Sequence, residues 1–458
     1  MRFKLSHIVL LISVILLLTG CRHFRQAPTA KIRGKIINPR TDEVVVSDNF
    51  WILQSDTLKL VAGNEVAGEV KVPKEGLYIL YVFPEFQTIY LKPGDSLAFH
   101  LNVDEFDESI SFSGGVAFEN NLNMSVFLAN EQESNYFYNR QFQFDLEKFL
   151  QKLDSFENIK QSLIDNYKKD LSRTTKKYQQ ILSLLNKSMY YSLKDMYAQK
   201  HPELKFSNDY FSYCSVLHQD LPDANVIYMY AFADSFLERK LKEYHTDIKN
   251  PYLKISKIID HEIFDTAFKD NLLVKYCSRY IKDYHLTKTD SVVHNFYQKI
   301  KNPVYKDYCN DLISRFKLMK AENSFPKTQY LTTQKTLISS DSLFNAGTKT
   351  LVAFWDLRYR KNFVSNLKKL QAYQKQYPDL QLVIINTNVE QFDEFLLQLP
   401  VSNHIRFVQA VDKKMIHQIR PLHLSQVYLL KADTIKASMR NMYEPAFEQK
   451  LQKFYSEN

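Results

Sequence analysis

The cysteines are the residues of this chain whose chemistry would be most distinctive. The chain has 458 residues and four cysteines, Cys21, Cys214, Cys277 and Cys309. Thiol–disulfide exchange requires a thiolate with a lowered pKa and a second thiol within reach. The last three cysteines are far apart in sequence and have no metal-ligand spacing. They predict three buried thiols, although an oxidising compartment would also permit one disulfide with one thiol left over.

An apolar stretch that ends in two aromatic residues is the next informative feature. Leu351-Val352-Ala353-Phe354-Trp355 reads as a buried strand, and it runs directly into Asp356-Leu357-Arg358-Tyr359-Arg360-Lys361-Asn362. The segment resembles thiol-disulfide oxidoreductases of the thioredoxin/TlpA and AhpC-TSA type, in which a strand ending in Phe-Trp leads into Cys-x-x-Cys at a helix N-terminus. By this resemblance the two cysteine positions fall on Tyr359 and Asn362, and neither can form a thiolate.

The same resemblance implies a cis-proline opposite the active site, just before a hairpin strand. Aligning Tyr428-Leu429-Leu430 with that strand puts Ser425 at the proline position. Pro421 lies four residues earlier, and a shift of the loop would restore it. No cysteine follows Cys309. The resemblance therefore implies a thioredoxin-like domain that is redox-inactive.

Basic residues stand where the redox motif would be. Arg358, Arg360 and Lys361 lie at an expected helix N-terminus, where backbone N–H groups and the helix dipole favour anions. They are candidate anion-binding residues for a carboxylate or a phosphate. The alternative is a solvated charged loop.

Other motifs for catalysis or metal binding are weak, and we predict no catalytic residue, metal or cofactor. His261-Glu262-Ile263-Phe264-Asp265 lacks the second histidine of a zinc-protease helix. His417 and His423 flank Pro421 without a nucleophile at a matching spacing. Seven of the nine glycines fall between positions 34 and 115, which leaves no phosphate-binding loop.

The N-terminus predicts export and a lipid anchor. Residues 1–20 read as a signal peptide, with Arg2 and Lys4 ahead of the apolar run from Ile8 to Leu18. Leu18-Thr19-Gly20-Cys21 resembles the bacterial lipobox, which implies cleavage before Cys21 and its acylation. An ordinary signal peptide with a chance cysteine is the alternative. The resemblance predicts a cell-envelope lipoprotein, and Arg22 favours the outer membrane, facing the periplasm.

Composition excludes a nucleic-acid-binding tract. The net charge of +9 is the excess of 60 scattered basic residues over 51 acidic ones. A basic surface beside anionic lipid accounts for this balance. The expected partners are therefore the membrane, through acylated Cys21, and an envelope protein.

Three regions follow residues 21–28, a linker after the anchor, and together they predict a multidomain α+β chain. Residues 29–115 alternate apolar and polar positions, as in Leu97, Phe99 and Leu101. Leu91-Lys92-Pro93-Gly94-Asp95-Ser96 and Phe112-Ser113-Gly114, followed just after this region by Glu119-Asn120-Asn121, resemble the small β-sandwich of unknown function that precedes thioredoxin-like domains in Bacteroidetes lipoproteins.

Residues 116–325 predict a helical region, because the stretch lacks glycine and is rich in Leu, Lys, Gln, Tyr and Phe. One apolar stripe is expected on Leu146, Phe149, Leu153, Phe156, Ile159, Leu163 and Tyr167. The abundant aromatic residues predict a helix-packing core, with a ligand-binding groove as the alternative.

Residues 337–458 predict strand, helix, strand, helix, strand, hairpin and terminal helix, which is the order of a thioredoxin fold. Taken together, the favoured function is that of a binding or scaffold protein at the envelope. One alternative is a degenerate relative of the thiol-disulfide oxidoreductases that assists envelope redox or protein maturation. Another is a small-ligand carrier or sensor that uses the helical region.

Overall fold

The computed structural model describes residues 28–140, 142–243, 247–283, 291–355, 360–387, 405–412, 416, 419, 426–439 and 441–456. These residues form two compact units. The first comprises residues 28–129 and 162–182, and the second comprises residues 130–161 and the described residues from 183 onward. Two sheets and a set of intervening helices make the chain a multidomain α+β protein, as predicted.

Eight strands form the first sheet. They are β1 (Thr29–Ile37), β2 (Glu43–Ser47), β3 (Ser55–Val61), β4 (Glu65–Lys71), β5 (Gly76–Val82), β6 (Glu85–Leu91), β7 (Ser96–Asn102) and β8 (Ser111–Gly114). Their order is β6-β5-β2-β3-β4-β1-β7-β8. The predicted alternation on β7 is confirmed, because Leu97, Phe99 and Leu101 are buried.

This sheet must fold over itself, because β6 and β7 are six strand spacings apart and yet are joined by four residues, 92–95. Six spacings in a flat sheet measure about 29 Å. Five residue steps span at most about 19 Å. β3 makes the transition between the two halves, since residues 55–59 pair with β2 and residues 60–61 pair with β4. The result is the β-sandwich that the sequence predicts.

Two glycines in the resemblance motifs allow these close turns. Gly94 has a φ of +85° in the turn between β6 and β7. Gly114 has a φ of +104°, and a Cβ there would lie 2.7 Å from the carbonyl oxygen of Ser96. Both positions therefore favour glycine over any residue with a side chain.

Two adjacent asparagines bind the edge strands of the sheet, β6 and β8. Asn120 Oδ1 accepts from the N–H of Tyr90 on β6 at 2.8 Å, and its Nδ2 donates to the carbonyl of Tyr90 at 2.9 Å. Asn121 makes the same pair of bonds to Phe112 on β8, at 3.0 and 2.9 Å. We call Asn120 and Asn121 the asparagine clamp. Each side chain satisfies one outward N–H and one outward C=O, as a neighbouring strand would.

The region between the sheets is helical, as predicted. Its longer helices are α1 (Ala117–Asn139), α2 (Leu146–Asp165), α3 (Lys176–Lys200), α4 (Ile227–Glu243), α5 (Pro251–Glu262), α6 (Thr266–Asp283), α7 (Ser291–Lys299) and α8 (Pro303–Leu318). A 3-10 helix spans Asn208–His218, and single helical turns span Phe106–Ser109 and Lys168–Leu171. α5 and α8 begin with proline, whose fixed φ suits the first helical position. Asn250 and Asn302 cap them.

The predicted apolar stripe on α2 is wrong in its second half. Phe149 and Leu153 are buried, but Ile159 is 57% exposed and Tyr167 is 45% exposed. Lys160, seven residues after Leu153 and eleven after Phe149, lies on the same helix face as these two residues and is fully buried. A charged residue can occupy this buried face because its ammonium pairs with the buried carboxylate of Glu133.

Aromatic side chains in this region pack against one another. Phe137 contacts the rings of Phe142, Phe149 and Phe156, and Phe149 stacks on Tyr197 at 4.0 Å between ring centroids. Phe137, Phe142, Phe149 and Tyr197 are buried, so for these residues the predicted aromatic core is confirmed.

The second sheet has the order β10-β9-β13-β12-β11-β14-β15. Its strands are β9 (Gln329–Thr332), β10 (Leu337–Ser339), β11 (Lys349–Trp355), β12 (Gln381–Asn386), β13 (Ile405–Ala410), β14 (Val427–Lys431) and β15 (Thr434–Met439). β11, β12 and β13 are parallel, whereas β14 and β15 form an antiparallel hairpin beside β11. A single helical turn spans Ser340–Leu343, and two longer helices, α9 (Arg360–Gln376) and α10 (Pro445–Ser456), complete the domain.

Both faces of this sheet are buried. On β11, Leu351 and Trp355 belong to a core that also contains apolar residues of α9 and α10, whereas Val352 and Phe354 belong to a second core on the opposite face. Consecutive residues of a strand point to opposite faces, so a strand between two cores needs the continuous apolar run seen here. The β13-β12-β11-β14-β15 order, with helices after β11 and β15, is that of a thioredoxin-like fold.

The hairpin of β9 and β10 was not anticipated. β9 has four residues, pairs antiparallel with β13, and buries only Tyr330 fully. One fully buried residue in a strand of four gives no period that could be recognised in the sequence. The predicted helix at 392–399 lies outside the described residues.

Candidate functional site in the thioredoxin-like domain

One edge of the second sheet is where the chain leaves β11 and enters β14. The parallel strands β11, β12 and β13 all end at this edge, and the antiparallel β14 begins there, with Val427 opposite Ala353. Thr387, just after β12, donates its N–H and its hydroxyl to the carbonyl of Trp355, at 3.0 and 3.2 Å. The ends of β11 and β12 are therefore bound to each other where the connecting segments begin.

The residues predicted for the site are mostly outside the described part of the chain. Arg358, Tyr359 and Ser425 lie outside it, as do Pro421, His417, His423 and the lipidation residue Cys21. Arg360, Lys361 and Asn362 belong by their backbone to the first turn of α9, and their side chains lie outside the description. The anion site, the replaced cysteine positions and the replaced cis-proline stay predictions.

The cysteines of the helical region are the other residues that could take part in thiol–disulfide exchange. Cys214, Cys277 and Cys309 are thiols and not disulfides. Cys277 on α6 and Cys309 on α8 have no exposed surface, as predicted. The expectation that all three are buried is wrong for Cys214, which is partly exposed in the 3-10 helix.

The surroundings of Cys214 suppress its ionisation. Its Sγ lies 3.4 Å from Nη2 of Arg239. Burial nevertheless raises the pKa of the Cys214 thiol to about 11, because the favourable charge of Arg239 only partly offsets the desolvation of a thiolate. Nucleophilic cysteines have pKa values below the ordinary one. Cys214 is therefore an unreactive thiol at neutral pH.

Arg239 belongs to a buried ionic cluster that the sequence analysis missed. Its guanidinium lies 2.9 Å from Oδ1 of Asp195, a carboxylate with no exposed surface. Tyr213 donates to the same oxygen at 3.2 Å, and Phe211 lies under the guanidinium at 4.2 Å. Burial raises the pKa of Asp195, and Arg239 opposes the rise. The cluster joins α3, α4 and the 3-10 helix, and no sequence spacing connects its members.

Three tyrosine rings surround a second cation beside this cluster. Nζ of Lys194 lies 4.4 Å from the ring centroid of Tyr210, 5.0 Å from that of Tyr213 and 5.6 Å from that of Tyr190. An ammonium over aromatic faces is stabilised by the ring quadrupoles. The ammonium of Lys194 itself therefore occupies the space between the three rings.

Neither a metal cluster nor a membrane-spanning helix is found among the described residues. No group of three or more His, Cys, Asp and Glu side chains in this part of the chain is placed to hold a metal ion. Within the same residues, every helix is too short or too polar to cross a bilayer.

Thiol reactivity tests this description. In native protein at pH 8, Cys214 should react with the disulfide reagent DTNB roughly 100-fold more slowly than an ordinary cysteine, because its raised pKa lowers the thiolate fraction. Cys277 and Cys309 should react only after unfolding. A Cys214→Ser variant should lose the slow native phase. Fast native labelling of any of the three would contradict the assignment.

Several solved structures are similar to a part of this chain. No family model and no curated protein sequence matches the chain. The thioredoxin domain of a thiol-disulfide oxidoreductase from Bacteroides vulgatus matches 30% of this chain and 99% of its own, at 15% identity and a TM-score of 0.24. A thiol peroxidase from Chromobacterium violaceum matches 29% and 87%, at 15% identity and 0.24. A SCO1/SenC family lipoprotein from Bacillus anthracis matches 29% and 92%, at 13% identity and 0.24. The thioredoxin-like fold of this domain rests on its own strand order and helix positions.

Proposed function

We propose that this chain is a lipid-anchored envelope protein whose thioredoxin-like domain binds a partner and does not exchange disulfides. The observation that carries the proposal is the absence of cysteine after Cys309, so residues 310–458 contain no thiol at all. Without a nucleophilic and a resolving thiol, the exchange reaction has no first and no second step.

Thiols elsewhere in the chain are poor substitutes. Cys277 and Cys309 are fully buried, and Cys214 has a pKa raised to about 11. A thiol that is inaccessible or fully protonated does not attack a disulfide at a useful rate. These facts support binding over redox catalysis.

The anchor is the second part of the proposal. Cleavage before Cys21 and acylation of its thiol and amine would hold the protein stably on a membrane, since several acyl chains together give lasting attachment. We place it at the outer membrane, facing the periplasm, from the lipobox resemblance and Arg22. Fatty-acid labelling that is lost in Cys21→Ser would support this, and labelling that persists in the variant would refute it.

A second candidate function is that of an assistant to active oxidoreductases. It is favoured because the thioredoxin-like fold is kept although the thiols are missing. A domain that keeps the shape of an oxidoreductase can dock the substrates or partners of active ones and assist envelope redox or protein maturation. Capture of an oxidoreductase or of its substrates would favour this function over a general scaffold.

Crosslinking in intact cells tests whether the candidate anion-binding residues contribute to partner binding. The double variant Arg358→Ala/Arg360→Ala should capture several-fold less partner than the wild type if these cations bind an anionic group. The matched control is Lys368→Ala/Lys375→Ala, which removes the same charge from exposed positions of α9. Equal capture by all three proteins would show that the basic residues do not contribute. The absence of any specific partner in every sample would contradict the scaffold function.

A further inference from the structure

A fully buried lysine lies among polar residues of three helices in the second unit. Lys160 on α2 and Glu133 on α1 have no exposed surface, and Asn130 on α1 and Asn186 on α3 are at most 1% exposed. Glu157, one helical turn before Lys160, completes the group. We call these five residues the Lys160 cluster.

The ammonium of Lys160 uses all of its donors within the cluster. Nζ lies 2.7 Å from Oε2 of Glu133, 3.1 Å from Oδ1 of Asn130 and 3.0 Å from the carbonyl of Asn186. A lysine ammonium has three N–H groups, so these partners saturate it. Glu157 Oε2 lies 3.4 Å away and interacts by charge alone.

The cluster has more negative charge and more acceptors than it can satisfy. One ammonium faces two carboxylates, which leaves a net charge of −1 if both are ionised. Oε1 of Glu133, Oε2 of Glu157 and Oδ1 of Asn186 are buried and have no hydrogen-bond partner. An ionised carboxylate oxygen without a donor is costly in the protein interior. A single proton on Glu133 would remove the excess charge and turn an unsatisfied acceptor into a hydroxyl.

We propose that the Lys160 cluster binds one proton at Glu133 and releases it as the pH rises, so that the stability of the helical region depends on pH. This inference is independent of the proposed function of the thioredoxin-like domain. It rests on the excess of buried negative charge and on the unsatisfied oxygen of Glu133.

Electrostatics in the cluster agree with this assignment. Burial raises the pKa of Glu133 from 4.5 to about 7; the charge and hydrogen bond of Lys160 oppose the rise, and the charge of Glu157 adds to it. Two tyrosines feel the charge of Glu157: Tyr190, which donates to Asp154, and Tyr191. Burial raises the pKa of both tyrosines, so they stay neutral over the relevant range.

The direction of the effect follows from linkage. Between about pH 4.5 and 7 the folded state keeps a proton that the unfolded chain has already released. Stability therefore falls as the pH rises through this window and becomes level above it. The equilibrium constant for unfolding should increase roughly 100-fold across the window from this group alone.

Urea unfolding of the full chain, followed by helical circular dichroism from pH 5 to 8, tests the proposal. Glu133→Gln should remove most of the fall in stability that the wild type shows. Glu147→Gln, at an exposed position of α2, should retain it. Glu157→Gln should move the decrease in stability to lower pH, because it removes the negative charge that helps to keep Glu133 protonated. A pH profile of Glu133→Gln that superimposes on that of the wild type would overturn the proposal.

A second measurement does not depend on the variant folding. Infrared spectra of the wild-type protein at pH 5.5 and 8.5 should differ by the band of one buried protonated carboxyl group. Absence of that band would contradict proton binding. A stability that varies with sodium or potassium concentration and not with pH would show that a cation, and not a proton, neutralises the cluster.

Discussion

Replacing Lys160 by methionine is expected to destabilise the helical region by roughly 3–5 kcal/mol at pH 8, the usual cost of leaving a buried charge without its partner. Methionine keeps most of the side-chain volume, so the loss reports the charge and not a cavity. The carboxylate of Glu133 loses its 2.7 Å contact and its only counter-charge inside the cluster. Amide hydrogens in peptides from α2 should exchange faster in the variant, because the helix opens more often when the region is less stable.

The double variant Lys160→Met/Glu133→Gln separates pairing from packing. It should recover a large part of the stability that the single methionine variant loses, because no buried charge of Glu133 remains. Lys152→Met, at an exposed position of α2, is the matched control and should change stability by less than about 0.5 kcal/mol. Equal effects of the Lys160 and Lys152 variants would refute a structural role for the buried pair.

The asparagine clamp provides the second large expected effect. Asn120→Asp keeps the shape and the acceptor but replaces the Nδ2 donor with a carboxylate oxygen, which would face the carbonyls of Tyr90 and Val116. We expect a loss of roughly 2–4 kcal/mol, since the change leaves buried carbonyls unsatisfied and buries a charge. Hydrogen exchange of the peptide that contains β6 should accelerate. Asn121→Asp should do the same for β8.

A control asparagine distinguishes the clamp from a general effect of added charge. Asn208→Asp, at an exposed position in the first turn of the 3-10 helix, should be neutral or slightly stabilising, because an acidic residue suits a helix N-terminus. If Asn120→Asp and Asn208→Asp leave the β6 peptide equally protected, the clamp does not hold the edge.

Sequence reasoning predicted the elements that follow a simple period. The alternation on β7 predicted burial of one face, and the apolar run of β11 predicted burial of both faces. Both patterns held because each apolar side chain packs into the core on its own side of the sheet. Lys160 keeps the helical period, but a lysine is not expected in a core, and its burial depends on Glu133, 27 residues away. The Asn120-Asn121 motif was recognised by resemblance, but its role depends on which strands form the sheet edges.

For the candidate site, the lack of cysteine could be recognised from the sequence. The arrangement of the surrounding strands required the structure. Strand polarity explains why the end of β11 at Trp355 and the start of β14 at Val427, distant in sequence, lie at one edge. The ionic cluster of Asp195 and Arg239 could not be predicted, because its members are 44 residues apart on different helices.

The asparagine clamp also has a consequence for the order in which the chain is made. Strand β6 is complete at Leu91, but Asn120 and Asn121 follow about thirty residues later. A chain emerging from its N-terminus therefore presents free backbone groups to other chains along β6 from Leu91 onward, and along β8 from Gly114 onward. Synthesis must reach the first turn of α1 before those edges are protected. Any pause between Leu91 and Asn121 would prolong the interval in which the new protein can aggregate.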